Sequence, residues 1–161
     1  MGWKHSLVPG TVVCCRFPIE ERPGEPGSKV RPVVITRVRK GNHLRAPVVE
    51  VMFGTSVRSH VRDPNIQISR DDELKQSGLR QPTKFLLRKR AVIPATEKFL
   101  VRNAGGDIAI GMLPHRAMEK AKAFFAYETE DQRAKALRFG RRAMTSAWTS
   151  SSEQKKELTH A

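Results

Sequence analysis

Between residues 11 and 101 the chain sets one β-branched, apolar run after another, and no helix-length segment separates the early runs. A parallel pair of strands needs a crossover of a dozen or more residues, usually a helix. The spacing therefore directs this part of the chain into antiparallel β structure. The runs cover residues 11–17, 31–38, 47–53, 66–68, 83–87, 91–94 and 99–101. Residues 20–29 hold Pro23, Gly24, Pro26 and Gly27 and read as a loop too long for a tight hairpin. Pro32 fits only the start of its strand or a sheet edge, because it has no N–H for the ladder. Lys40-Gly41-Asn42 reads as a turn. Residues 71–74 read as one helical turn, closed by Gly78.

After Gly105-Gly106 the period changes. Leu113, Ala117, Ala121, Phe124 and Phe125 recur at helical spacing, with Pro114 suited to the first turn. This face is read as core packed on the sheet. Thr129-Glu130-Asp131-Gln132 has the form of a capping box and opens a second helix, expected to reach Phe139 and stop at Gly140. The fold class is mainly β with C-terminal helices, a small and strongly curved barrel with a helical extension. Its expected parts are a barrel domain over 1–127, an additional helix over 128–144 and a polar, disordered tail over 145–161.

Thirty Lys and Arg against 16 Asp and Glu give a formal charge of +14 on 161 residues. Such a charge calls for an anionic partner, whether nucleic acid, an acidic protein segment or a membrane surface. No apolar run approaches the roughly 18 residues that span a bilayer. The N-terminal residues lack the apolar core of a signal peptide, so a cytoplasmic protein is expected. Cys14 and Cys15 are adjacent, which gives neither a metal pair nor a disulfide framework. In a strand they face opposite ways, so at most one is buried. No Walker loop, dinucleotide-binding glycine pattern or nucleophile elbow is present, and His5, His43, His60, His115 and His160 have no metal-ligand spacing. Neither cofactor nor metal is expected. His43 and His60 are an acid–base pair in kind only, since nothing in the sequence brings them together.

Two segments put polar groups at strand ends. In Lys29-Val30-Arg31-Pro32-Val33-Val34, an arginine stands where a loop meets a strand, held extended by the proline. In Phe53-Gly54-Thr55-Ser56, two hydroxyls are expected just past the end of a buried strand, with Gly54 turning the backbone. If the two strands are neighbours, a guanidinium and a hydroxyl converge on one phosphate. Cleavage of RNA needs little more, because the substrate supplies its own 2′-hydroxyl nucleophile. Arginine offers a permanent, forked charge to phosphate oxygens, and a hydroxyl adds a donor to a non-bridging oxygen. Alternatively, Arg31 is a surface charge at a strand start.

In order and spacing the chain resembles the PemK/MazF toxins of bacterial type II toxin–antitoxin systems. The resemblance is carried by Gly10-Thr11-Val12-Val13, the Pro/Gly-rich loop, Arg31-Pro32-Val33-Val34, Phe53-Gly54-Thr55-Ser56 and Gly78-Leu79-Arg80-Gln81-Pro82-Thr83-Lys84-Phe85. It ends at Gly111-Met112-Leu113-Pro114 and the helix that follows, and covers roughly residues 9–125. Thr11 stands where the family usually has an acidic residue. Val30 precedes Arg31 where a second basic residue is common, and the chain continues past the usual end after Tyr127.

The resemblance implies an SH3-like barrel that forms a homodimer. It implies metal-independent, sequence-selective endoribonuclease cleavage of single-stranded RNA, and neutralisation by a small antitoxin whose acidic tail covers the RNA groove. It makes Arg31 the catalytic arginine, as proton-transfer group and charge stabiliser, and Thr55 the hydroxyl that holds the scissile phosphate, with Ser56 as its partner. The loop over 20–29 becomes a mobile loop near the site. Lys29, Arg58, Arg62 and Lys84 are assigned as RNA contacts by charge and position. Two alternatives stand beside this. One is a non-catalytic barrel binding nucleic acid or an acidic protein. The other is a toxin acting on a protein target such as gyrase.

Overall fold

The computed structural model describes residues 2–40 and 46–138. After a 3-10 turn at Trp3–Ser6 come β1 (Thr11–Cys15), β2 (Arg31–Arg39), β3 (Val48–Ser56), β4 (Asn65–Ile68), α1 (Asp71–Ser77), β5 (Thr83–Pro94), β6 (Leu100–Val101), β7 (Ala109–Met112), α2 (His115–Ala126) and α3 (Glu130–Ala136). Among the described residues the strands form one antiparallel sheet in the order β4-β5-β3-β2-β1-β6, and β7 also pairs with β1. The result is a curled, barrel-like sheet followed by two of the three described α-helices, α2 and α3.

Alternation along the strands fills two cores. Val13, Val33 and Val51 turn to one face, where they meet Leu7, Phe17, Ile93, Phe99 and Leu100. Val12, Val34 and Met52 turn to the other, beneath Leu113, Ala117 and Ala121 of the α2 segment, with Phe124 and Phe125 packed beside them. Each such Val or Leu contributes roughly 1.5–3 kcal/mol when fully buried. The helical face read from the sequence is thus core. Cys15 is buried and Cys14 half-buried, as alternation requires. Pro32 sits second in β2, opposite Cys14.

The structure revises several sequence expectations. β3 does not end at Phe53 but runs through Gly54 and Thr55 to Ser56. Gly54 is there for close packing rather than for a turn. A Cβ on it would collide with the Pro32 carbonyl oxygen and stand 2.8 Å from the Phe85 ring. The runs at 83–87 and 91–94 are one strand, β5, because both halves pair with β3. β7 has only one β-branched residue, Ile110, and gave no strand signal. Its Gly111 lets the backbone at Gln76 and Ser77 approach closely. Residues 71–74 extend into the two-turn helix α1, whose end is Gly78 in the left-handed conformation (φ 69°). The turn at Gly41 and Asn42, the stop at Phe139 and Gly140, and the expected tail lie outside the described residues.

Residues 128–133 are tied to the sheet. Glu128 accepts hydrogen bonds from the Arg90 guanidinium at 2.6 Å on both carboxylate oxygens, and both side chains are buried. Arg90 also stacks 4.2 Å from the centroid of Phe125. Thr129 accepts from the Gln132 N–H while the Gln132 side chain accepts from the Thr129 N–H, which completes the capping box. From α3, Arg133 donates to buried Glu50 at 2.9 Å, and the other Glu50 oxygen accepts from Thr36.

Candidate functional site

Arg31 opens β2, where the following proline favours extended backbone. Its half-buried guanidinium lies 5.7 Å from the centroid of the Phe53 ring. Phe53 meets Phe17 edge to face, with centroids 5.0 Å apart. Over the same Phe53 ring, at 4.0 Å, stands the Lys89 ammonium, which is also 5.8 Å from Phe17. Two cations therefore share one aromatic floor, each held by the negative face of a ring.

This floor belongs to an open cleft of about 830 Å³. The loop from β1 to β2 supplies Ile19, Glu20 and Lys29, and the loop from β3 to β4 supplies Val61 and Asp63. β5 adds Leu86 and Arg88. The C-terminal segment adds Gln132 and Lys135 of α3, and Arg138 beyond it. Cations outnumber the acidic Glu20, Glu21 and Asp63 on the lining. The loop is folded back on β1. Gly27 donates its N–H to the Arg16 carbonyl at 3.0 Å, and a Cβ there would strike the Phe17 carbonyl oxygen. Glu20 pairs with Arg138 at 3.3 Å, which links the loop to the chain beyond α3.

Lys89 owes its position to an irregularity in β5. The ladder with β3 steps from Met52–Arg90 to Gly54–Phe85. Leu86, Leu87, Arg88 and Lys89 thus stand opposite the single residue Phe53. A bulge of this kind bends the strand and re-aims its side chains. Burial first, then the nearby charges of Arg31 and Arg138, lower the Lys89 pKa below the ordinary lysine value, while Asp63 and Glu20 act in the opposite sense. Burial likewise raises the Cys14 and Cys15 thiols, which suits inert packing residues.

The expected site residues divide. Arg31 and Lys29 line the cleft together. Thr55 and Ser56 do not appear on its lining. Ser56 instead opens the following loop, its Oγ accepting from the Arg58 N–H and its carbonyl accepting from the Ser59 N–H. The ladder between β2 and β3 closes at Val33–Phe53. The same register carried two residues further would face Arg31 with Thr55, so they are neighbours in topology without a hydrogen bond between them. Arg58 and Arg62 are exposed in the β3–β4 loop, and Arg62 lies between the lining residues Val61 and Asp63. Lys84 departs from expectation. It is buried, and its ammonium donates to the carbonyls of Ser59 at 2.7 Å and Val61 at 2.5 Å. Its charge anchors that loop from beneath. His60 is exposed in the loop, and His43 lies outside the described residues.

Sequence reasoning missed Lys89, the Phe17–Phe53 floor and the α3 wall. The signal for Lys89 was present in Arg88-Lys89-Arg90, three cations interrupting an apolar strand run. Among the described residues no three His, Cys, Asp or Glu side chains group as a metal site would. No described helix is long and apolar enough to cross a membrane. In comparisons with known proteins, no family model matches the chain and no curated protein matches it significantly.

Proposed function

We propose that this cleft binds single-stranded RNA and cleaves it as a metal-independent endoribonuclease, the toxin of a type II toxin–antitoxin pair. The observation that carries the reading is Arg31 at a fixed strand start, over an aromatic floor, in an open cleft with a cationic excess. Phosphate oxygens meet the cations, and an unpaired base meets the ring faces, which every base can stack on. Cleavage then proceeds by attack of the 2′-oxygen on the adjacent phosphorus. The bond to the 5′-oxygen breaks, leaving a cyclic phosphate and a 5′-hydroxyl. Arg31 stabilises charge on the non-bridging oxygens throughout. An acidic antitoxin segment would compete for the same cations. A homodimer on an SH3-like barrel belongs to the same reading.

The test is cleavage of a single-stranded RNA in EDTA. The wild-type protein cleaves it, and Arg31→Ala lowers the rate by about 10²–10³-fold, the usual cost of one charge-stabilising donor, while melting as the wild type does. Full activity in Arg31→Ala would overturn the assignment. A second reading has one observation in its favour. Thr55, whose hydroxyl would complete a cleavage site, lies outside the cleft lining and makes no hydrogen bond to Arg31. A module that binds RNA without cutting it needs only the cations and the rings. It would show salt-dependent binding with no product formed.

A further inference from the structure

Phosphodiester cleavage by a 2′-hydroxyl leaves one demand that Arg31 meets poorly. The departing 5′-oxygen must gain a proton, and a guanidinium holds its own too tightly to give it up at neutral pH. Among the groups on the cleft floor, Lys89 differs from Arg31 in this respect. A lysine ammonium moved below its ordinary range is a better acid than a guanidinium.

Resting on the ribonuclease reading, we infer that Lys89 is the proton donor to the leaving 5′-oxygen. Three observations place it there. Its ammonium shares the Phe53 ring with the Arg31 guanidinium, so a phosphate held by Arg31 lies within its neighbourhood. It lies in the four-against-one irregularity of β5, outside the regular ladder with β3, and lines the cleft. The charged groups around it favour release of the proton on balance. Arg31 from β2 and Arg138 beyond α3 push its pKa down along with burial, against Asp63 from the β3–β4 loop and Glu20 from the β1–β2 loop. Lys29, Arg88 and Lys135 add positive charge to the same lining.

The step balances. The 2′-hydroxyl loses its proton to water as the 2′-oxygen bonds to phosphorus. The phosphorus–5′-oxygen bond breaks, and the Lys89 ammonium delivers its proton to that oxygen. The neutral amine is recharged from solvent. No water is consumed in forming the cyclic phosphate.

A substrate with sulfur in place of the bridging 5′-oxygen tests this directly, because a thiolate leaves without being protonated. Wild type and Lys89→Ala are compared on the ordinary RNA and on the sulfur-bridged RNA, in EDTA. Lys89→Ala is expected to slow the ordinary linkage about 10²-fold or more and to cleave the sulfur-bridged linkage within a few-fold of wild type. Lys89→Arg keeps the charge and is expected to stay slow on the ordinary linkage. In the wild type, the rate on that linkage falls as pH rises through the lowered Lys89 pKa, and on the sulfur-bridged linkage this fall is absent. Equal losses on both substrates, or full activity in Lys89→Arg, would overturn the inference and leave the ribonuclease reading standing. A wild-type protein that cuts neither substrate would overturn both.

Discussion

Lys89 and Arg90 are consecutive cations on one strand, and the fold uses them in opposite ways. Lys89 stands over Phe53 and Phe17 at the floor of an open cleft. Arg90 is fully buried over Phe125, with both oxygens of Glu128 on its guanidinium. A buried charge must be paired and hydrogen-bonded to be tolerated. Arg90 is therefore committed to structure, although its Nε and one terminal nitrogen have no partner. Lys89 keeps enough exposure to meet a ligand. The pair shows that net charge alone does not tell which cations reach the cleft. What separates the two cations is their setting: Arg90 is sealed beneath Phe125 with Glu128, whereas Lys89 stands half-buried at the floor of an open cleft.

The comparison is broken most severely by stranding Arg90. Glu128→Ala removes its counter-charge and leaves a guanidinium buried among aromatic and aliphatic groups. A loss of about 3–5 kcal/mol is expected, read from urea unfolding. The double change Arg90→Met with Glu128→Leu removes both charges together, and should recover most of that loss because a buried pair gains little over apolar packing. If the single change were as mild as a surface substitution, Arg90 would not be the structural member of the pair.

Lys84 belongs with Arg90 and not with Lys89, and it shows where the sequence ceased to be legible. The strand pattern was readable because β-branched runs, proline positions and a capping box act locally. Thus β1, β2, β4, α2 and the start of α3 fall close to where the residues predict them. Arg31 and Lys29 were readable for the same reason, since Pro32 fixes the strand start beside them. The failures are non-local. Whether Thr55 ends a strand depends on β5 pairing along it. Whether Lys84 is free depends on a loop 25 residues earlier folding its carbonyls over the ammonium. The place of Lys89 depends on a bulge that only the register of β3 defines. Lys84→Met keeps the aliphatic stem and removes the donor. It is expected to destabilise the protein by about 1.5–3 kcal/mol, the usual worth of hydrogen bonds made by a charged donor. Binding of RNA at moderate salt should change little, whereas Lys29→Ala should weaken it. A loss of binding in Lys84→Met as large as that in Lys29→Ala, with stability intact, would place Lys84 among the contacts after all.

α3 joins the two kinds of cation. Glu128, just before it, holds Arg90, while Lys135 within it and Arg138 beyond it line the cleft with Lys89. Its first turn depends on Thr129, whose hydroxyl accepts the Gln132 N–H. α3 is only seven residues long, so an isolated version would not persist in water. The cap, the Arg133–Glu50 pair and the burial of Ala136 and Leu137 must hold it together. Thr129→Ala should cost about 1 kcal/mol of global stability, the smallest of these effects. Its consequence for the cleft is more selective. A frayed α3 loosens the wall that carries Lys135 and Arg138 but leaves Phe53, Arg31 and Lys89 in place, because those are fixed by β2, β3 and β5. Hydrogen exchange is therefore expected to rise in residues 129–137 and to stay unchanged in β5. Affinity for RNA should fall by less than it does for Arg31→Ala. Exchange rising equally in β5 would mean that α3 supports the bulge itself, and that the floor of the cleft is not set by the sheet alone.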